Sequence, residues 1–523
     1  AVPAGHDHFS EEMIRRYFEH ACKELGVSNE QLLALGRVPG GHEFNMTALA
    51  IRGSRFHNGV SRIHGGVSAR ILSSLWPQIE ADDNPVTHVT NGVHVSTFLS
   101  SEWNELFDRF LGPGWSQRVT DRSCWEGIHT IPDHQFWSVH QSLKAQMLHL
   151  VRHRISEQHA RNHGSEAHLD RLLKLANPDN PNVLTIGFAR RFATYKRAGL
   201  LFENLNWLRE ILCDPQRPVL FLFAGKAHPA DQPGQALIRR VIEVARMPEF
   251  EGKILLVEGY DLRFARRLVS GVDVWLNNPQ YPLEACGTSG MKAAMNGIPN
   301  LSVLDGWWGE GYDGKNGWGI KPASDTLDEA RRNHEEARTL YEILQDSVVP
   351  LYYNLGPMGY SPGWVAMAKH SIASLLPRFN STRMLSDYLS RFYVPAAQQW
   401  RRYSQDNYAG ARAVAQWKSR VRSSWPQVAL RRLDAPKRRI GFGDSLRFDV
   451  VVELLFGRPS GGSQPKKSRS HRFHHERQLE TGEQLYALDL TPEYCGKIEY
   501  RIRVYPHHDL LTHPFEMGMM VWL

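Results

Sequence analysis

Between Asn182 and Gly319 the chain alternates short, unbroken apolar runs with amphipathic segments, and no feature limits its folding more. VLTIGFA (183–189), PVLFLFAG (218–225), KILLVEG (253–259), DVWLNN (273–278) and LSVLDG (301–306) are each bounded by polar or turn residues. Between most of them lie patterns such as QALIRRVIEVARM (235–247), with apolar residues three or four apart. Apolar strands without alternation are buried on both faces, and intervening helices supply the cover, so the expectation is a parallel, Rossmann-like α/β sheet. Ligands of such sheets sit beyond the carboxyl ends of the strands. Chemistry is therefore sought in the residues that follow each run.

GFARRFATYKRAGL (187–200) follows the first run and gathers Arg190, Arg191, Lys196 and Arg197 at an expected strand-to-helix junction. The positive end of a helix dipole disfavours cations, so four of them there point to a bound anion, phosphate foremost. A solvated basic helix start is the plain alternative. AGKAHPAD (224–231) follows the second run, and Lys226 is either another anion ligand or a solvent-facing side chain.

EACGTSGMKAAMNG (284–297) resembles a phosphate loop but lacks its spacing. A nucleotide-binding P-loop places lysine directly after the last glycine and a hydroxyl after that. Here Met291 intervenes between Gly290 and Lys292, and alanines follow. Apart from Lys292 the helix is small and apolar, and burial there favours a neutral, nucleophilic amine suited to Schiff-base chemistry with an aldehyde. Gly287, Thr288, Ser289 and Gly290 offer N–H groups and hydroxyls to a phosphate. An aldehyde and a phosphate in one short loop together describe pyridoxal phosphate; a snorkelling lysine after a tight turn is the alternative. FNMTALAIRGSRFHNGVSRIHG (44–65) and HVTNGVHVSTF (88–98) carry Asn58 and Asn91, each before a glycine, as turn residues or as amides for a polar ligand.

The rest of the chain sets limits. Residues 325–415 read as helical, and after about 416 alternating runs such as LRFDVVVELLF and KIEYRIRVYP suggest a small all-β module. The first 58 residues hold a helix or two but too little apolar sequence for a core of their own. The net charge of +7 is concentrated: between Arg458 and Arg477 six Arg/Lys face one Glu. That Gly/Ser/Pro-rich stretch reads as a solvated loop, or alternatively as a polyanion-docking tail, and the remainder of the chain carries no nucleic-acid footprint. No apolar run approaches the roughly 20 residues of a membrane helix, and no signal pattern opens the sequence. Five scattered cysteines without metal spacing suit a reducing cytoplasm. His471, His474, His475, His507, His508 and His513 read as ordinary loop histidines, and no metal is expected. Trp307 and Trp308 either stack on a ligand or pack in the core.

Taken together, FNMTALAIRGSRFHNGVSRIH, TNGVHVSTF, GFARRFATYKRA, EACGTSGMKAAMNG and LSVLDGWWGE resemble, in order and spacing, the α-glucan phosphorylases, and most closely their bacterial type. The likeness is dense over residues 2–320 and looser to about 415. It implies the carboxyl-terminal Rossmann-like domain of a GT-B fold with trailing helices: a remnant of the amino-terminal domain at 1–58, the cofactor- and phosphate-binding domain at 59–415, and a β-rich accessory domain at 416–523. By the same resemblance Lys292 holds pyridoxal 5′-phosphate, Arg190, Thr288 and the backbone of Ser289 grip the cofactor's phosphate, and Tyr260 lies against its ring. Arg191 and Lys196 resemble the ligands of substrate phosphate, and Asn58, Glu284, Cys286 and Gly287 the pocket for the glucosyl hydroxyls. Animal members have serine in place of Cys286 and an arginine in place of Asp261, which alters a sugar contact and the charge near the cofactor.

The reaction so implied is reversible phosphorolysis of α-1,4-glucan to α-glucose 1-phosphate with retention, the cofactor's phosphate acting as proton relay, so no glycosidase-type carboxylate pair is required. The implied partners are glucan, phosphate and glucose 1-phosphate, in the cytoplasm; a homo-oligomer is left open. By the resemblance, the sequence is expected to start just beyond a histidine that the family places on the sugar and to lack the preceding Rossmann-like domain. The expectation is a carboxyl-terminal fragment with little turnover of its own. Two other functions share these motifs: a GT-B sugar-nucleotide glycosyltransferase without pyridoxal phosphate, and a non-catalytic glucan-binding remnant.

Overall fold

The computed structural model describes residues 6–80, 83–432, 439–443, 450–457, 469–488 and 499–523. They fall into two compact units. The first comprises Val60–His64 and Val89–Asp387; the second comprises Val2–Gly59, Gly65–His88 and Tyr388–Leu523.

The first unit is built on six parallel strands: β1 (Leu184–Ala189), β2 (Val219–Ala224), β3 (Ile254–Val257), β4 (Val274–Asn277), β5 (Asn300–Val303) and β6 (Gly317–Ile320). Their spatial order is β6-β5-β4-β1-β2-β3, every pairing being parallel. Read from the other edge, this is the 3-2-1-4-5-6 order of a dinucleotide-binding sheet. The order reverses between β1 and β4, so the loops after those two strands part there and leave a crevice. Five strands coincide with the five apolar runs. The sixth was not expected, because Gly317-Trp-Gly-Ile320 is short and half glycine.

Alternation within β2 shows how the layers form. Val219, Phe221 and Phe223 face one core together with Leu208 and Ile211 of α2 (Leu205–Leu212) and Val241 and Val244 of α3 (Gln232–Ala245). Leu220, Leu222 and Ala224 face a second core with Met147 and Val151 of α1 (Asp133–Arg161) and Phe264 and Leu268 of α4 (Leu262–Gly271). Each Leu, Val or Phe so enclosed contributes about 1.5–3 kcal/mol relative to exposure. A buried polar knot fixes the start of β1. Lys144 of α1 donates to the Val183 carbonyl (2.6 Å), to the Tyr352 hydroxyl (3.0 Å) and to Asp273. Asp273 in turn accepts from Thr185 N–H (2.7 Å) and is paired with His140 (2.8 Å). Burial disfavours the charge on Asp273, but Lys144 and His140 outweigh it and hold the carboxyl below its usual range.

In the second unit, helices at Glu11–Leu25, Asn29–Gly36 and Met46–Gly53 precede a long helix, α8 (Val394–Ser424). It is kinked where Asp406, Asn407 and Tyr408 take positive φ. The helix runs past residue 416, where the sequence reading ends helical structure. Val414, Trp417, Val421 and Trp425 recur three or four apart and are buried, and that spacing is what prolongs it.

Strands follow in two antiparallel four-stranded sheets. One has the order Ala429–Arg432, Arg439–Gly443, Gln484–Ala487, His474–Gln478; the other Arg469–Arg472, Val450–Gly457, Glu499–Pro506, Val521–Trp522. Of the basic stretch 458–477, residues 458–468 lie outside the described residues, and 469–472 and 474–478 form strands. Cys22, Cys124 and Cys286 are buried and Cys213 is exposed; Cys495 lies outside the described residues. Among the described residues no helix is long and apolar enough to cross a membrane, and no three His, Cys, Asp or Glu converge as a metal group.

Candidate active site

The loop after β1 is laced to the end of β2. Arg190 N–H donates to the Ala224 carbonyl (3.1 Å) and Phe192 N–H to that of Lys226 (2.9 Å). Gly225 permits this approach: its φ is +148°, and a Cβ there would lie 1.9 Å from the Arg190 carbonyl oxygen. Beyond Phe192 the chain forms a short 3₁₀ turn, Thr194–Lys196, in place of the expected helix start. The cations of this loop then separate. Arg190 and Lys196 point inward and are buried, Arg191 is exposed, and Arg197 takes a left-handed φ of 49°. That twist sends the Arg197 guanidinium to the Asn278 and Pro279 carbonyls (2.9 Å each), Asn333 (2.9 Å) and Glu336. Arg197 is thereby spent on the fold, and three of the four cations remain. Lys226 is exposed.

The loop after β4 supplies the counter-charge. Glu284 accepts from Arg190 (2.6 Å) and Lys196 (2.5 Å), and all three residues are less than 10% exposed. Burial pushes the Glu284 carboxyl up, but the two cations prevail and hold it below its usual range. The second Arg190 nitrogen, Nη1, is buried without any hydrogen-bond partner among the described residues. Leaving such a donor unmet costs about 1–3 kcal/mol, or more for a charged group.

The helix α5 (Thr288–Met295) begins immediately after this cluster. Its cap is Gly287, at φ +87°, and no side chain bonds its first N–H groups. Ser289 Oγ accepts from Trp275 Nε1 (3.2 Å). The Lys292 Nζ lies 4.1 Å from the centre of the Phe98 ring, and this amine has no ion pair or hydrogen bond among the described residues. Burial lowers the pKa of its amine. Cys286 is buried, its carbonyl accepting from Trp307 N–H (2.9 Å), and burial pushes its thiol up to about 12, which leaves it protonated and inert. Tyr260 is largely enclosed; burial raises its hydroxyl pKa, with the Arg190 charge acting in the opposite sense. Asp261 caps α4 through Phe264 N–H (2.7 Å) and pairs with Arg154 (2.7 Å), so its charge is matched.

Arg190, Lys196 and Glu284 are thus in contact, with Cys286, Gly287, Thr288, Ser289 and Lys292 on the same loop and helix as Glu284. Asn58 belongs to the second unit. It donates there to the Gly59 carbonyl (3.0 Å) and the Tyr388 hydroxyl (2.9 Å), in a short strand, His57–Gly59, paired with Val86–His88. Trp307 and Trp308 are core residues, 1% and 0% exposed, Trp308 donating to the Trp318 carbonyl (2.9 Å).

One group escaped the sequence reading. Asp305, two residues after β5, accepts from Glu284 N–H (2.9 Å) and Gly306 N–H (2.8 Å), and so fixes the loop that carries Glu284. Burial first, and the Glu284 charge in addition, push its carboxyl up to about 7. The rule that site residues follow strands would have found it in LSVLDGWWGE, where the tryptophans drew the eye.

An anion fits these groups: a buried guanidinium with a free donor, a buried lysine, an exposed arginine and an uncapped helix start. An amine of lowered pKa, free of ion pairs, fits a carbonyl partner. Both halves of pyridoxal phosphate therefore find matching chemistry among Arg190, Thr288, Ser289 and Lys292.

Comparison with known proteins bears on the family of the chain. The family described as "Carbohydrate phosphorylase" matches residues 8–308, and "Glycogen phosphorylase C-terminal domain" matches 439–523. The chain is similar to a maltodextrin phosphorylase of Thermococcus litoralis, 39% identical over 100% of this chain and 62% of the relative. It is also similar to a glycogen phosphorylase of Mycobacterium tuberculosis, 35% identical over 99% of this chain and 62% of the relative. A glycogen phosphorylase of Aquifex aeolicus is 42% identical over 73% of this chain and 54% of the relative. The chain thus spans less than two thirds of the length of the curated relatives it matches.

Proposed function

The chain belongs to the carbohydrate phosphorylase family, and from that premise we propose that it forms the cofactor- and phosphate-binding part of an α-glucan phosphorylase. The reaction is reversible phosphorolysis of α-1,4-glucan to α-glucose 1-phosphate with retention, in the cytoplasm. The proposed modules follow the chain: 1–58 from an amino-terminal GT-B domain, 59–415 the Rossmann-like domain with its trailing helices, and 416–523 a β-rich accessory domain. The observation that carries the reading is the buried Arg190–Glu284–Lys196 cluster with its unmet Arg190 donor, beside an uncapped helix bearing an unpaired Lys292.

In this reading Lys292 holds pyridoxal 5′-phosphate, Tyr260 lies against its ring, and Arg190 with Thr288 and Ser289 grips its phosphate. When bound, the cofactor supplies a phosphoryl group able to exchange protons beside the substrate phosphate. Arg191 and Lys196 hold the substrate phosphate, offsetting the repulsion between two neighbouring phosphates. Glu284 neutralises the cations while no anion is present; once one arrives, its carboxylate becomes available to the glucosyl hydroxyls, with Cys286 and Gly287 beside it on the same loop. The substrate phosphate gives its proton to the departing glycosidic oxygen. The same phosphate then bonds the anomeric carbon from the face the glucan left, which gives retention.

Borohydride reduction of cofactor-loaded protein followed by peptide mapping tests the assignment: the label belongs on the peptide containing Lys292. A label elsewhere, or none, rules it out and favours the cofactor-free glycosyltransferase. Release of glucose 1-phosphate from maltodextrin and phosphate tests the reaction. Glucan affinity without phosphorolysis would favour a binding module.

A further inference from the structure

The second unit contains a cavity of about 570 Å³ that the phosphorolysis site does not use. It is lined by the helix Met46–Gly53 and the residues after it, by α8, and by the turn at 512–518. That volume falls within the roughly 300–1,000 Å³ of small-molecule sites. Four cations line it: Arg52, Arg55, Lys418 and Arg422. Its one carboxylate, Glu516, is already committed, accepting from Lys418 and from Thr512 N–H (2.8 Å).

Three of these cations, Arg52, Arg55 and Lys418, are held in place before any ligand arrives. Arg55 stacks over the Tyr403 ring with its carbon 4.6 Å from the ring centre, and makes no hydrogen bond or ion pair among the described residues. That cation–π contact holds the guanidinium while its N–H groups stay without other partners among the described residues. Arg52 is fixed differently, one nitrogen donating to the carbonyls of Ala34 (2.9 Å), Leu35 (2.8 Å) and Arg37 (2.6 Å). Arg422, on α8, makes no ion pair among the described residues. Trp76 adds an aromatic wall, its ring 6.0 Å from that of His57. His57 and His513 border the same space, and burial holds both imidazoles below their ordinary pKa, so near neutral pH they add hydrogen-bonding nitrogen without charge.

A solvated basic surface has mobile, separately hydrated side chains. Here three of the four cations are tied down, and the described lining residues carry an excess of three positive charges over negative, their one carboxylate being already paired. We propose that it binds a small oxyanion carrying two or more negative charges, of the oligophosphate or bisphosphate class, Arg55 and Arg422 supplying bidentate contacts. The phosphoryl groups could come from a free inorganic chain or from a sugar ester, since both present the same oxygens to the guanidinium edges.

Titration calorimetry of the chain with inorganic phosphate, tripolyphosphate and a sugar bisphosphate tests this. The expected result is a tripolyphosphate or bisphosphate binding event that persists in Lys196→Met but weakens at least about tenfold in Arg55→Met and in Arg422→Met. Arg55→Lys, which keeps the charge and loses the fork, is expected to fall between. Circular dichroism and thermal melting establish that each variant is folded. Preference between tripolyphosphate and the bisphosphate identifies the source. Binding unchanged in folded Arg55→Met and Arg422→Met, binding abolished by Lys196→Met, or no binding of any of the three anions at millimolar concentration would overturn the proposal.

Discussion

Arg190 and Glu284, 94 residues apart in the chain, close a buried ion pair at 2.6 Å that joins the loop after β1 to the loop after β4. Those are the two loops that diverge where the strand order reverses. The pair therefore bridges the crevice in which such sheets bind ligands.

Glu284→Gln tests what that pair does. It leaves Arg190 and Lys196 buried with no anionic partner, an arrangement that costs about 3–5 kcal/mol. The melting temperature of the variant should fall in phosphate-free buffer and recover with added phosphate more steeply than the parent. An equal fall at every phosphate concentration would show that the cluster does not receive anions.

Arg197→Met should separate folding from binding. Its ion pair with Glu336 is as buried as that of Arg190, so a loss of about 3–5 kcal/mol is expected on denaturant unfolding. The stabilisation gained from phosphate should nevertheless match the parent. For Arg190→Met that gain should be largely lost.

Lys292→Ala should cost little in stability, within about 1 kcal/mol, because among the described residues the ammonium meets the face of Phe98 and no ion-pair or hydrogen-bond partner. The absorbance band that pyridoxal phosphate forms with a protein amine should disappear. The pH sense is defined too. A lysine whose folded pKa lies below its unfolded 10.5 binds fewer protons when folded. It therefore destabilises the fold at low pH, and this penalty fades as pH rises through the folded pKa toward the unfolded one. Lys292→Met should flatten the rise in stability on the alkaline side.

Asp305 has the opposite dependence. Its folded pKa of about 7 lies above the unfolded 3.8, so the folded state holds the proton over that interval. Stability should fall as pH climbs from about 4 to about 7, by at most about 4 kcal/mol at roughly 1.36 kcal/mol per unit. Asp305→Asn removes the ionisation and keeps one acceptor for the Glu284 or Gly306 N–H. The slope across that interval should shrink in urea titrations at graded pH; an unchanged slope would assign it to other groups.

How much of this was legible in advance follows from range of interaction. Five strands of the first unit could be read because a run such as Val219–Ala224, enclosed on both faces, is apolar at every position. Gly317–Ile320 could not, because two of its four residues are glycine and only Trp318 and Ile320 bring side chains to the core. Lys196 and Arg197 are adjacent in sequence and equally cationic, yet one left-handed residue sends them to different carboxylates. Spacing holds no record of that. Asp305 was hidden for a related reason: its importance lies in a bond to the backbone of Glu284, 21 residues earlier. The helical continuation to Ser424 was legible in principle, through Val414, Trp417 and Val421, but the charged residues among them obscured the period.

The uncapped start of α5 bears on how this region tolerates genetic change. Its capacity to receive an anion is written in main-chain atoms, which every amino acid except proline carries. Replacing Thr288 or Ser289 trims a hydroxyl and leaves the amide array standing. Gly287 is different, since φ +87° is a conformation that side chains resist. A drifting lineage could therefore exchange Thr288 or Ser289 and retain this grip, while a side chain at Gly287, or at Gly290, where a Cβ would lie 2.3 Å from Asn300 Oδ1, would disturb it.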